Sequence, residues 1–178
     1  MLKAVSALLL LCGWVAWAQP VGVPNFGQVS PAIYRGAQPT RAGFEALQHM
    51  GVKTIVDLRA EESDIHRIAG MNFRYFHLDE IPGVWQPHDV AAFLKIVADP
   101  DNAPIFVHCD YGSDRTGEMI AAYRIVHDNW RPEQAIEEAL TYHFRPIFGR
   151  SMDQLRRLDP AAIRQEVAAM PAPLPHRF

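Results

Sequence analysis

Short apolar runs rich in β-branched residues alternate with helix-length segments along this chain, and that alternation limits the folds open to it. Ala32–Arg35, Lys53–Leu58, Phe73–Leu78 and Pro104–His108 read as strands. Between and after them lie helix patterns. Thr40 can cap a helix running to Met50 with Gly51 as its stop, and Glu62–Ala69 reads as a short helix. Pro87 opens a third helix, with Val90, Phe93, Leu94 and Val97 on one face. Arg115–Asn129, Pro132–His143, Ser151–Leu158 and Ala161–Met170 follow. Strands separated by helices cannot pair as hairpins, so they lie parallel with helices on both faces. The predicted fold is a single α/β domain built on a mainly parallel sheet of about four strands. No repeat or linker divides it.

Composition sets the class. Of 178 residues, 49% are hydrophobic and 21% charged, the balance of a globular protein. Met1-Leu2-Lys3, an uncharged stretch from Ala4 and the closing Ala16-Trp17-Ala18 predict a signal peptide over residues 1–18. The stretch is shorter than the roughly 20 residues a membrane span needs. Residues 19–170 are then the domain, 171–178 a loose proline-rich tail, and the expected destination is the periplasm, without stable membrane insertion. Losing Lys3 leaves 16 basic against 20 acidic residues, which gives no global pull toward nucleic acid. Cys12 leaves with the signal, so Cys109 stands alone and no internal disulfide can form.

In a parallel sheet, ligands bind beyond the carboxyl ends of the strands. Arg35 and Gln38 lie there, with Arg59, Asp79, Glu80 and Cys109. The densest signal is His108-Cys109-Asp110-Tyr111-Gly112-Ser113-Asp114-Arg115-Thr116-Gly117, set between an apolar strand and a helix. Amides of such a turn can face a common hollow, and the helix adds its positive end. Gly112 permits a torsion that a side chain would obstruct. Arg115 brings a planar fork suited to two phosphate oxygens, and the same positive features favour the nucleophilic form of the Cys109 sulfur.

These residues resemble the H-C-x5-R-[ST] signature of the cysteine-dependent protein tyrosine phosphatase superfamily, and Arg115-Thr116-Gly117 resembles its dual-specificity branch. Tyr34–Pro39 and Gly51–Arg59 are similar to bacterial members of that branch and to fungal inositol-pyrophosphate phosphatases. The resemblance covers Tyr34 to Phe144. It implies a phosphocysteine intermediate without metal or other cofactor, and an Asp on a mobile loop as general acid. Cys109 would be the nucleophile and Arg115 the phosphate binder. Thr116 would assist the thiolate, and Asp110, Tyr111, Gly112, Ser113 and Asp114 would complete the binding loop.

Asp79 ends the third predicted strand, 30 residues before Cys109, and is the expected acid; Glu80 is its competitor. Asp89 reads as a helix cap or a solvated acid, and Arg35 and Arg59 as phosphate ligands or structural ion pairs. The histidines show no H-x3-H or HExxH spacing, so no metal site is expected. Asp110 and Asp114 disfavour a polyanionic substrate. The expected partner is a phosphorylated protein, with phosphotyrosine foremost. The alternatives are a small phosphomonoester such as an inositol phosphate or nucleotide, a non-catalytic phosphate-binding module and a rhodanese-like sulfurtransferase.

Overall fold

Five strands form one sheet in the order β1-β2-β5-β3-β4. They are β1 (Gly27–Ser30), β2 (Ile33–Ala37), β3 (Thr54–Asp57), β4 (Arg74–His77) and β5 (Ile105–Cys109). The computed structural model describes residues 19–60, 64–145 and 149–176. The signal-like segment 1–18, the predicted helix start at Glu62 and the last two residues of the tail lie outside them. Among the described residues, no helix is long and apolar enough to cross a membrane.

The helices are α1 (Arg41–His49), α2 (Asp64–Arg67), α3 (Pro87–Ala98), α4 (Asp114–Val126), α5 (Pro132–Thr141), α6 (Gly149–Arg156) and α7 (Pro160–Ala169). Local chemistry sets several starts. The Thr40 hydroxyl accepts the Gly43 N–H, and Asp159 accepts those of Ala161 and Ala162. Asp89 takes the capping role: its carboxylate accepts the Gln86 N–H at 2.6 Å.

β2, β5, β3 and β4 are parallel, and β5 fills the slot between β2 and β3. The fifth strand was not anticipated. β1 is four residues long, begins with glycine and pairs antiparallel with β2 at the sheet edge. So short and half-polar a run carries no period of its own.

Alternation along the strands divides the core in two. Val56, Phe76, Ile105, Val107 and Cys109 face residues of α3, α4, α6 and α7. Ile55, Tyr75 and Phe106 face Phe44 and Leu47 of α1. The period of two therefore sends adjacent His108 and Cys109 to opposite faces. The histidine ring lies edge-on to Phe44, while the sulfur lies on the α4 side.

The tail differs from the loose segment expected. The His176 N–H donates to the Tyr75 carbonyl at 2.8 Å, placing a short antiparallel bridge on the outer edge of β4.

Candidate active site

Cys109 ends the sheet's middle strand and is 3% exposed. Four residues, 110–113, carry the chain into α4. Their course is fixed from β2. Gln38 N–H donates to the Asp110 carbonyl at 3.2 Å, and Arg35 Nη2 donates to the Gly112 carbonyl at 2.7 Å. In a trans peptide the carbonyl and the next N–H point opposite ways. Tying back these two carbonyls turns the Tyr111 and Ser113 amides away from the groups that hold them on the β2 side. Gly112 has φ +66°, and a Cβ there would lie 2.4 Å from the Gly36 carbonyl carbon. Only glycine fits this contact between loop and strand.

Arg35 is fully buried, stacked 4.0 Å from the Tyr142 ring centroid, and its Nε and Nη1 have no hydrogen-bond partner among the described residues. Burial lowers its pKa to about 10, still protonated at neutral pH. It is a fixed cation behind the loop, and it reaches the loop backbone rather than the mouth.

Arg115 closes the other side. Its Nη1 donates to the Leu58 carbonyl at 3.3 Å and the Glu80 carbonyl at 3.4 Å, and its Nη2 pairs with Asp110. The guanidinium thus stands where the end of β3, the segment after β4 and the loop meet. Thr116 is fully buried with its hydroxyl unpartnered among the described residues. Asp114 does not face the hollow. Its carboxylate accepts the Arg145 backbone N–H at 3.1 Å and Nε at 2.9 Å, so its side chain anchors the segment after α5.

Arg59 proves structural. It donates to Asp57 at 2.9 and 2.6 Å and to Asp64 at 2.9 Å, while Tyr75 Oη donates to Asp57 at 2.9 Å. His108 Nε2 lies 2.9 Å from Asp64 Oδ2, and Gln38 Nε2 donates to Asp64 Oδ1 at 2.7 Å. Burial opposes charge on Asp57, but the Arg59 hydrogen bond and the His108 charge outweigh it and lower its pKa. Asp57, Asp64 and His108 offer ligand atoms within 4.8 Å of one another, a grouping distant sequence positions did not reveal. The Arg59 guanidinium already serves both carboxylates, so the cluster is an ion-pair network, in which Asp64 Oδ2 and His108 Nε2 have no hydrogen-bond partner among the described residues.

The segment after β4 carries both candidate acids. Asp79 is exposed. Glu80 is 3% exposed and turned inward; burial first, then the nearby charges of Asp89 and Glu118, raise its pKa to about 8. Beyond it, Ile81 and Val84 are 61% and 45% exposed, and Tyr111 in the loop is 70% exposed. Arg115 binds one end of this segment, while the Gly83 N–H donates to Glu118 Oε1 at 3.1 Å. Glu118, Arg145 and Gln38 were not singled out for these contacts in the sequence. The available signal was one carboxylate, three residues past Arg115, in a helix buried along its whole length.

Residues 24–156 match the family PTP-NADK, described as a DSP-PTPase phosphatase fused to NAD+ kinase. The dual specificity protein phosphatase TpbA of Pseudomonas aeruginosa is 32% identical over 125 residues, 69% of this chain and 57% of TpbA. The chain thus spans little more than half of that relative's length. Inositol diphosphatase DSP5 of Arabidopsis thaliana is 31% identical over 123 residues, 65% of this chain and 60% of DSP5. The TpbA crystal structure superposes with a TM-score of 0.73 at 26% identity, covering 82% of this chain and 91% of that one. A TpbA variant in complex with pTyr gives 0.72. With its cysteine-bearing strand-loop-helix site and this match across most of its length, the chain belongs to the DSP-PTPase family, the dual-specificity branch of the cysteine-dependent phosphatases.

Proposed function

We propose that the protein hydrolyses phosphomonoesters through a phosphocysteine on Cys109, and that its preferred esters are aryl phosphates, phosphotyrosine in a protein foremost. The Cys109 thiolate attacks phosphorus while Arg115 and the loop amides hold the non-bridging oxygens. The ester oxygen leaves with a proton from Asp79, which stands exposed at the end of β4. Water then attacks the phosphocysteine and gives a proton to the same carboxylate, and inorganic phosphate departs with the thiolate restored. Burial and the charges of Asp89 and Glu118 keep Glu80 protonated at neutral pH, but its carboxyl is turned inward and 3% exposed, whereas Asp79 is open to solvent.

The observation that carries the substrate reading is the rim. Tyr111 in the loop and Ile81 and Val84 on the segment that Arg115 holds at Glu80 expose apolar surface, and the Asp110 carboxylate pairs with Arg115. Apolar walls suit an aromatic leaving group, and a carboxylate at the phosphate fork repels further anions. Inositol phosphates, the second reading, draw on the likeness to inositol diphosphatases rather than on the rim.

Turnover of p-nitrophenyl phosphate by wild type and Cys109→Ser tests the chemistry: the variant is expected to lose all activity, and unchanged turnover would remove the sulfur from the mechanism. On phosphopeptides, inositol phosphates and nucleotides, phosphotyrosine peptides are expected to show the highest kcat/KM. Faster turnover of a polyphosphorylated inositol would overturn the aryl preference.

A further inference from the structure

Glu118 is 1% exposed and lies on α4 one turn beyond Arg115. A buried carboxyl needs partners that repay its lost hydration. Its Oε1 has two: the Gly83 N–H, 35 residues away on the segment after β4, and the hydroxyl of fully buried Ser151 on α6. One turn further along α6, Gln154 Nε2 donates to the Trp85 carbonyl at 3.1 Å. Gly83 has φ +77°, the apex of a turn, and Trp85 is 2% exposed. The segment from Asp79 to Trp85 is therefore held at three points: by Arg115 at Glu80, by Glu118 at Gly83 and by Gln154 at Trp85.

We propose that Glu118, backed by Ser151, is a positioning residue that holds the acid-bearing segment over the phosphate loop, so that proton delivery to the leaving group depends on a carboxyl that never touches substrate. This rests on the phosphatase reading above. The Arg115 contact to Glu80 is made by the phosphate binder itself, whereas the Gly83 contact comes from the helix that the loop opens. Both contacts refer the segment to α4, so a proton donor before Gly83 keeps its height over the hollow. Glu118 accepts from both neighbours through one oxygen, and above about pH 7, where this buried carboxyl ionises, a neutral amide would accept more weakly than the carboxylate.

The test separates positioning from mere stability. Glu118→Gln is assayed on phenyl phosphate, whose leaving group needs a proton, and on difluoromethylumbelliferyl phosphate, whose leaving group does not. The expected result is a kcat loss about ten-fold larger on phenyl phosphate, with inorganic phosphate inhibition unchanged. Ser151→Ala, which keeps the carboxyl, should give the same split to a smaller extent, about three-fold. Amide exchange in the peptide containing Gly83 should rise in both variants. Equal losses on both esters, or no loss with unchanged exchange, would overturn the proposal; if Glu118→Gln does not fold, Ser151→Ala decides on the same criteria. Failure of the phosphatase reading has a different signature, wild-type turnover that survives Cys109→Ser.

Discussion

Asp110 and Arg115 face each other across the mouth, and their pairing makes the loop compete with its own ligand. The Asp110 side chain is about half exposed, so solvent screens the pair and a phosphate dianion can displace it. Asp110→Asn is expected to tighten inorganic phosphate inhibition and lower KM several-fold with kcat little changed, read from initial rates; a higher KM would show that Asp110 helps bind substrate. The two neighbouring carboxyls separate by protonation. Asp79→Asn should slow phenyl phosphate far more than an activated ester, while Glu80→Gln should slow both alike. The reverse pattern would move the acid to Glu80. The strand-to-helix turn that brings Cys109, Gly112 and Arg115 to one place was legible in the sequence because it constrains them locally. The roles of Arg35 and Glu118 were not. Each depends on partners that only the fold brings near, as when Arg35 meets Gly112, 77 residues away.

Strand parity and strand order do most of the positioning. Cys109 pairs with Ala37 and His108 with both Gly36 and Asp57, so the end of β5 is flanked on each side. A one-residue slip would exchange sulfur and imidazole between the two faces, which makes the register a condition of activity. The loop's seat on β2 is equally exacting. Gly112→Ala would place a side chain at φ +66° and 2.4 Å from Gly36, and about 1–3 kcal/mol of strain is expected. Chemical denaturation checks that loss, and a larger relative fall in phosphate affinity than in stability would locate the damage in the loop. Strands β2, β3, β4 and β5 were readable as short runs rich in apolar and β-branched residues. β1 was hidden by its brevity, and the tail's bridge at Tyr75 by the distance between partners. Edge pairing reflects what lies alongside a strand more than the strand's own pattern.

For the whole molecule, the buried carboxyls set how stability responds to pH. Burial raises Glu80 from 4.5 to about 8 and Glu118 from 4.5 to about 7. Below pH 4.5 both are protonated in the folded and unfolded states and contribute no pH dependence. Between 4.5 and about 7 to 8 the folded protein retains protons that the unfolded chain has released, so stability falls as pH rises. Each carboxyl contributes at most about 1.4 kcal/mol per pH unit across its window. Melting temperatures should decline from pH 5 to about 8 and level off beyond, and Glu80→Gln should flatten the decline; a steeper curve would contradict the assigned direction.

The placement of β5 in the middle of the sheet bears on how the protein would age. A strand zipped to neighbours on both sides belongs to the part of a protein that opens last, so the Cys109 sulfur should keep its seat until the entire domain melts. A stored sample that still melts at its original temperature yet turns over no ester would therefore have lost its thiol to oxidation, and a reductant able to reverse the first step of that damage should restore it.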